Sequence, residues 1–198
     1  KDYQMLDIIS STVKAMSEGE IYQMEKARRM DITEEDYYEI IKAKTASLIS
    51  SCCMLGALSV GANESQVEKM RKFGTSAGIA FQIKDDILGI YGGKNKIGKS
   101  NTSDIEEFKQ TILYSYVKIN KPDYYKKLLK YYGKDNITEE ELIEVQKILD
   151  ESGSHKYAIE KMNDMFYKAK QEIILLDIKE QIKNILLGLI IYLEIREK

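Results

Sequence analysis

A single proline, Pro122, occurs in the 198 residues of this chain, and this scarcity is the feature that most constrains its fold. Proline breaks helix interiors because it lacks an amide N–H and because its ring clashes with the preceding turn. Helical periodicity runs through the sequence, and we find no convincing apolar/polar alternation of the kind that indicates a strand. The pattern predicts an all-α protein with about eight helices, at 4–27, 34–60, 64–91, 104–119, 122–132, 139–151, 155–176 and 178–196.

Composition is that of an ordinary soluble domain, with 31% charged residues, 43% apolar residues and a net charge of −2. We expect one domain over residues 1–198, and the balanced charge argues against a nucleic-acid partner. Cys52 and Cys53 are adjacent in a helical pattern, where neighbours are poorly placed to bridge each other, so two reduced thiols in a cytoplasmic protein are expected. The longest apolar run, at 185–193, is far too short to span a membrane, and no transmembrane segment is predicted.

The helix predicted at 64–91 carries two adjacent carboxylates, Asp85 and Asp86, in the stretch FQIKDDILG. A carboxylate on an otherwise apolar helix is costly unless a cation compensates it. By 3.6-residue periodicity, one face of this helix is apolar and consists of Ile79, Ile83, Ile87 and Ile90. The second face carries polar or small residues: Thr75, Gly78, Gln82, Asp85, Asp86 and Gly89. The pattern favours a cation site beside a stretch without bulky side chains, with an acidic solvent-facing surface as the alternative.

Carboxylates without histidine or cysteine suit hard cations such as Mg²⁺, which usually also bind substrate phosphates and water. That interpretation requires basic side chains nearby. Lys44 is a candidate because the repeat places it on an apolar stripe between Ile40 and Leu48, although a lysine there could equally extend its ammonium to solvent. Lys99, in a glycine-containing loop, and Lys109 are further candidates. Together with the aspartates they indicate a diphosphate–Mg²⁺ site.

These segments resemble one enzyme family. FQIKDDILG followed by IGKSNTSDIEEFKQT resembles the second aspartate-rich region of the trans-isoprenyl diphosphate synthases (polyprenyl synthetases). The segments EGEIYQM and ITEEDYYEIIKAKTASL are similar to the helix pair that carries the family's KT element, and YLEIREK is similar to its C-terminus. The resemblance implies an antiparallel helix bundle of the isoprenoid synthase type. It also implies a prenyltransferase that condenses isopentenyl diphosphate with an allylic prenyl diphosphate in a homodimer, giving geranylgeranyl or longer products.

The resemblance assigns the metal site to the helix with the aspartate pair. Asp85 and Asp86 would bind Mg²⁺ that bridges to the allylic diphosphate, and Gln82 would help to orient that region. Asp104 and Lys109 would form a supporting layer around the metal and contribute to substrate binding. In this sequence a phenylalanine stands where the family usually has a glycine before Lys109, which affects where that lysine points.

The same resemblance assigns the allylic diphosphate to a second group of side chains. Lys44, with Thr45, and Lys99 would hold this leaving group. Arg196 and Lys198, near the C-terminus, would close over bound substrate. In the family, Mg²⁺ and lysines stabilise the negative charge that develops as diphosphate leaves, and apolar helix faces shelter the carbocation.

One family motif does not occur in the sequence. The first aspartate-rich motif, DD..D with nearby arginines, is absent, and in the family it precedes the region that matches residue 1. The chain is therefore expected to be an N-terminally incomplete, C-terminal portion of a synthase and to be inactive as given. The alternatives are a non-catalytic subunit or partner of such a synthase and a terpene cyclase.

Two further features are given simpler interpretations. His155, the chain's only histidine, follows a capping serine and is expected to be exposed at a helix start. The tyrosine pair at 37–38 is expected on a partly buried helix surface.

Overall fold

The chain is all-α in the computed structural model, which describes residues 3–29, 32–92 and 102–196. No strand occurs in these ranges, so the predicted fold class is confirmed. The helices are α1 (Tyr3–Arg29), α2 (Glu34–Ile41), α3 (Ser47–Ser59), α4 (Glu64–Tyr91), α5 (Ser103–Glu106), α6 (Ile112–Asn120), α7 (Pro122–Leu128), α8 (Glu139–Glu151), α9 (Ser154–Ile174) and α10 (Glu180–Ile195). A π-helical turn, Lys42–Ala46, joins α2 to α3.

The chain groups into two compact units. The first unit contains the described residues of Lys1–Met24, Tyr38–Gln82 and Met162–Arg196, and the second contains mainly Glu25–Tyr37 and Ile83–Lys161. A single domain over 1–198 therefore stays a prediction. The core of the first unit includes Phe73, Ala77, Ala80, Phe166 and Ile190. The core of the second includes Ile83, Ile90, Ile105, Leu113, Tyr114 and Leu149.

Two helix starts carry the predicted caps. Thr33 and Asp36 exchange hydrogen bonds between side chain and backbone, with 2.9 Å from Thr33 N to Asp36 Oδ2 and 3.1 Å from Asp36 N to Thr33 Oγ1. Thr138 and Glu141 form the same reciprocal arrangement at the start of α8. Each pair satisfies two backbone N–H groups that a helix start would otherwise leave unbonded.

The prediction of one continuous helix at 104–119 is wrong, because this segment forms two helices, α5 and α6. Phe108 lies between them in the left-handed region, with φ of 53°, a conformation that a helix interior does not allow. Thr111 then caps α6 by accepting a hydrogen bond from Tyr114 N. The backbone thus turns at Phe108, immediately before Lys109.

The helix predicted at 34–60 is also not continuous in its geometry. The π turn Lys42–Ala46 inserts one extra residue, seen in the hydrogen bond from Ser47 N to Lys42 O. Each helical residue advances the side chain by about 100°, so residues after the insertion face another direction. Leu48, predicted on one apolar stripe with Ile40, is accordingly 47% exposed, whereas Ile40 is buried.

In the first unit, α4 lies unusually close to the π turn and α3. A Cβ atom at Gly78 would lie 2.6 Å from Ala46 Cα, and one at Gly74 would lie 2.6 Å from Ser50 Cα. Thr75 donates a hydrogen bond to Arg71 O. The interpretation of Gly78 as part of a stretch left clear for a ligand is therefore wrong, because the backbone of Ala46 fills that space.

Two predictions about compartment and membrane can be compared with the structure. Cys52 and Cys53 are free thiols, as predicted. The stretch Glu34–Ser59 is long and apolar enough to cross a membrane by length and composition alone. Core helices of soluble proteins pass the same test, so it is weak support for a membrane span. No other stretch of the described chain meets these criteria.

Candidate functional site

Among the carboxylates of the second unit that the structure describes, Asp86 is the most deeply buried, with 1% of its surface exposed. It lies on α4, one turn from the core residues Ile83 and Ile90. Its Oδ1 accepts a hydrogen bond from Lys109 Nζ at 3.0 Å, and its Oδ2 accepts one from Tyr37 Oη at 2.7 Å. Both oxygens of this buried carboxylate therefore have protein donors, as a buried charge requires.

Lys109 connects this aspartate to a second carboxylate. Its ammonium lies 3.1 Å from Asp104 Oδ2 as well as 3.0 Å from Asp86 Oδ1. Asp104 lies in α5 and Lys109 follows the turn at Phe108, so the break in the predicted helix allows the lysine to reach back to Asp104. We call Tyr37, Asp86, Asp104 and Lys109 the carboxylate cluster.

The phenylalanine in place of glycine before Lys109 does not prevent the backbone from adopting the glycine-like conformation. Phe108 takes a positive φ and its ring packs edge-on against Tyr114 and Tyr132, with centroid distances of 5.4 and 5.8 Å. The left-handed region costs a residue with a side chain roughly 1–2 kcal/mol. Aromatic packing offsets that cost here.

Gly89 provides the space that Asp104 occupies. A Cβ atom built on Gly89 would lie 2.7 Å from Asp104 Oδ2, closer than real atoms approach. The carboxylate of Asp104 thus lies directly against bare helix backbone one turn after Asp85. A side chain of any size at position 89 would displace it.

Electrostatics in the cluster are dominated by burial. Burial raises the pKa of Asp86 above its ordinary value, and the charge of Lys109 and the hydrogen bond from Tyr37 offset only part of this effect. Burial also disfavours the charged form of Lys109, but attraction by Asp86 and Asp104 outweighs it and raises the pKa of the ammonium. Lys109 therefore stays cationic at neutral pH.

Asp85 differs from its neighbour Asp86 in exposure. It is half-buried on α4, whereas Asp86 is fully enclosed. The sequence alone does not distinguish the two aspartates, but in the structure the Asp86 carboxylate is buried and the Asp85 carboxylate is partly exposed to solvent. Asp85 is therefore the member of the pair that an incoming ligand can approach.

The first unit holds a separate polar group around the π turn. Lys44 Nζ lies 2.9 Å from Gln23 Oε1 and 2.5 Å from Glu20 Oε2, both on α1. Thr45 donates a hydrogen bond of 2.8 Å to Gln82 Oε1. Three of the predicted side chains, Lys44, Thr45 and Gln82, thus form hydrogen bonds here, and Lys44 is half-exposed rather than buried in an apolar stripe. We call Glu20, Gln23, Lys44, Thr45 and Gln82 the π-turn group.

Arg196, also in the first unit, lies over an aromatic ring. Its guanidinium carbon is 4.3 Å from the centroid of Phe81, a cation–π distance. Lys99 and Lys198 lie outside the described residues.

Three contributing side chains were missed by the sequence reasoning. Tyr37 was expected on a partly buried helix surface, but it is 3% exposed and binds Asp86 across 49 positions of sequence. Glu20 and Gln23 were not predicted as partners of Lys44. No local sequence pattern predicts such contacts. The one available signal for Tyr37 is its position seven residues before Lys44 in the helix pair with the KT element.

Asp85 on α4, with the carboxylate cluster beside it, suits a hard cation. The ligand atom it offers is a carboxylate oxygen, and no cysteine or histidine belongs to the cluster, in which the bare backbone at Gly89 leaves room for Asp104. In the described part of the chain no three histidine, cysteine, aspartate or glutamate side chains converge as a complete metal cage. Mg²⁺ commonly binds through one or two carboxylates and takes its other ligands from phosphates and water. The side chains present therefore fit Mg²⁺ that is completed by a substrate.

A family model described as polyprenyl synthetase matches residues 1–149, more than half of the chain. The chain belongs to the polyprenyl synthetase family. It is similar to geranylgeranyl diphosphate synthase from Sulfolobus acidocaldarius, with 42% identity over 144 residues that cover 72% of this chain and 44% of that protein. It is also similar to geranylgeranyl diphosphate synthase from Methanosarcina mazei, with 31% identity over 193 residues that cover 97% of this chain and 57% of that protein.

The fold resembles that of solved polyprenyl synthases. One from Caulobacter crescentus, solved in complex with calcium and isoprenyl diphosphate, is 25% identical with a TM-score of 0.86. The match covers 98% of this chain and 60% of that protein. This chain therefore spans about half the length of the curated relatives that it matches.

Proposed function

We propose that this protein is a trans-prenyltransferase, a polyprenyl diphosphate synthase that condenses isopentenyl diphosphate with an allylic prenyl diphosphate, giving geranylgeranyl or longer products. The observation that carries the proposal is the carboxylate cluster, in which Asp86, Asp104 and Lys109 meet on the motifs that resemble the family's second aspartate-rich region. The similarity to geranylgeranyl diphosphate synthases supports the substrate class.

Mg²⁺ would be held by Asp85, with Asp86 acting one layer behind it. Both oxygens of Asp86 already accept hydrogen bonds, and its surface is enclosed, so we assign it to positioning Lys109 and Tyr37. Asp104 shares Lys109 and completes the second layer. The sequence analysis expected both Asp85 and Asp86 to bind the metal, whereas this proposal assigns metal binding to Asp85 alone. The calcium in the Caulobacter crescentus complex supports a divalent cation in this family.

The π-turn group would bind the diphosphate leaving group. Lys44 would exchange its contacts with Glu20 and Gln23 for phosphate oxygens, because a diphosphate carries more negative charge than the Glu20 carboxylate and accepts more strongly than the Gln23 amide. Thr45 and Gln82 would orient the group through their mutual hydrogen bond. Lys99 keeps the diphosphate-binding role implied by the resemblance, and Arg196 keeps its implied role of closing over bound substrate.

The chemistry proposed for these side chains is stabilisation of charge rather than covalent catalysis. When bound, Mg²⁺ supplies Lewis-acid stabilisation of the departing diphosphate. Lysine ammonium groups stabilise the same negative charge as the allylic C–O bond breaks. The double bond of isopentenyl diphosphate then forms the new C–C bond to the allylic carbon, and a proton is lost from the adduct.

Binding is the first test, because it can be measured on the chain of 198 residues. Inorganic diphosphate is titrated calorimetrically in the presence and absence of Mg²⁺. We expect Mg²⁺-dependent binding that Asp85→Asn weakens by at least about tenfold. Asp123→Asn is the matched control, because Asp123 is an exposed aspartate of the second unit with a contact of only 4.0 Å to Lys126. Equal binding by the two variants would contradict the role of Asp85.

Turnover is the second test, on the protein as its gene encodes it. We expect product from isopentenyl diphosphate and an allylic diphosphate only with Mg²⁺, and Asp85→Ala should lower the rate by orders of magnitude. Mg²⁺–diphosphate binding without condensation would instead favour a non-catalytic subunit. Cyclic hydrocarbon from the allylic diphosphate alone would favour a terpene cyclase.

We further propose a homodimer in the cytoplasm. The exposed apolar side chains Tyr3, Leu6 and Val13 on α1 support an association surface, and the free thiols support a reducing compartment. Light scattering that gives a monomer at micromolar concentration would contradict the dimer.

A further inference from the structure

The C-terminal end of α4 is held by a cluster of side chains that the proposed function does not use. All of its members lie in the second unit: Tyr91 at the end of α4, Gln146 and Asp150 on α8, and His155 at the start of α9. Tyr91 Oη donates to Asp150 Oδ1 at 2.8 Å. Gln146 Nε2 donates to the carbonyl of Ile90 at 2.7 Å. We call these four residues the α4 clamp.

His155 completes the clamp and corrects the expectation of an exposed residue. Its ring stacks on Tyr91 with a centroid distance of 3.7 Å and an interplanar angle of 11°. Its Nδ1 lies 2.8 Å from Asp150 Oδ1, and a carboxylate only accepts, so the imidazole donates from Nδ1. One carboxylate oxygen thus accepts from both stacked rings.

The turn that presents His155 is itself fixed. Gly153 has φ of 81°, a conformation that favours glycine. Ser154 is fully buried, and its hydroxyl donates to the carbonyl of Leu113 at 2.7 Å. The clamp is therefore anchored to the core of the second unit rather than to a loose surface segment.

The clamped turn determines the backbone of the aspartate pair. In an α-helix the N–H groups of Gly89 and Ile90 bond the carbonyls of Asp85 and Asp86. Tyr91 lies five residues after Asp86, about 7.5 Å along the helix axis. The carbonyl of Ile90 lies in the last turn of α4, and it accepts a hydrogen bond from Gln146. Fraying of this turn would release the hydrogen bonds that orient both aspartates.

We propose that Tyr91, Asp150 and His155 are positioning residues that set the affinity of the α4 aspartates for Mg²⁺ and diphosphate. This inference rests on the proposed function of Asp85 and Asp86. His155 would thus act through Tyr91 and Asp150, without contacting the reacting atoms. The high pKa of Tyr91, raised by burial and by Asp150, keeps the phenol protonated as a donor.

The test measures Mg²⁺-dependent binding of inorganic diphosphate by calorimetry, together with urea unfolding of each variant. Tyr91→Phe keeps the stacked ring and removes the hydroxyl, which contacts Asp150 Oδ1 at 2.8 Å and the carbonyl of Gln146 at 3.3 Å. We expect the apparent Kd to rise about three- to tenfold. His155→Ala should behave similarly. His155→Asn, whose amide can donate in place of Nδ1, should restore affinity to within about twofold of the wild type.

Thr138→Ala is the control for a merely structural role. It removes the capping box at the start of α8 and should lower stability to a degree comparable with Tyr91→Phe. We expect it to leave diphosphate affinity unchanged. Equal affinities for Tyr91→Phe, His155→Ala and Thr138→Ala would overturn the inference. Absence of Mg²⁺–diphosphate binding by the wild type would instead overturn the proposed function, and this inference with it.

Discussion

Substitution of Gly89 by alanine tests the geometry of the carboxylate cluster through the sign of a stability change. In an open helix interior this substitution stabilises by about 1 kcal/mol, because alanine has the higher helix propensity. At Gly89 the new Cβ would lie 2.7 Å from Asp104 Oδ2 and 3.3 Å from its Cγ. The carboxylate must therefore move, and its hydrogen bond of 3.1 Å from Lys109 must lengthen or break.

The two effects have opposite signs and different sizes. A hydrogen bond between charged groups contributes about 1.5–3 kcal/mol, so the net expectation is destabilisation by roughly 0.5–2 kcal/mol. Urea unfolding followed by circular dichroism measures this difference. Gly56→Ala and Gly188→Ala are matched controls, because nothing lies within 4 Å of a Cβ at either position. Both should stabilise by about 0.4–1 kcal/mol.

A double-mutant cycle makes the reasoning sharper. In an Asp104→Ala background the clash is gone, so Gly89→Ala should stabilise as the controls do. Stabilisation of the otherwise unchanged protein by Gly89→Ala, to the extent seen for Gly56→Ala, would refute the clash with Asp104. Destabilisation that persists without the Asp104 carboxylate would refute it equally.

Three further predictions concern other features. Phe108→Gly should lower the free energy of unfolding by about 1–2 kcal/mol, because loss of two aromatic contacts outweighs relief of the positive φ; urea unfolding that shows stabilisation would contradict this balance. Burial raises the pKa of Asp86. At pH values between its ordinary and its raised pKa the native state therefore binds more protons than the unfolded chain, so the free energy of unfolding falls as pH rises through this range. Asp86→Asn should flatten this part of the curve of stability against pH, measured by urea unfolding, and an unchanged slope would contradict the raised pKa. Burial and the neighbouring Cys52 raise the pKa of Cys53 to about 11, so iodoacetamide at pH 8 should label Cys52 first by mass spectrometry, and equal labelling rates would disprove the difference.

Local features of the structure could be predicted from the sequence where the cause is local. The apolar repeat with one proline predicted helices, and Thr33 and Thr138 predicted two starts because a capping box involves residues only three apart. The aspartate pair was placed correctly on a long helix for the same reason. Residues whose partners are near in sequence leave a readable pattern.

Contacts between distant segments could not be predicted in this way. The bond between Tyr37 and Asp86 joins residues 49 positions apart, and the stack of Tyr91 on His155 joins residues far apart in the chain. The helix break at Phe108 was missed because a positive φ in a bulky residue depends on tertiary packing rather than on propensity. Periodicity cannot detect either kind of feature.

The π turn at Lys42–Ala46 has a consequence for how sequences of this kind are aligned. A single inserted residue in a helix adds no loop and leaves both flanking segments helical, yet it rotates everything after it by about 100°. A homologue without the extra residue would therefore require a one-position gap inside a helix, where alignments rarely place one. Aligned without that gap, its residues would be matched to the wrong face of α3 while their sequence similarity remained high. A gap at this position thus reports a change in helix geometry together with a length difference of one residue.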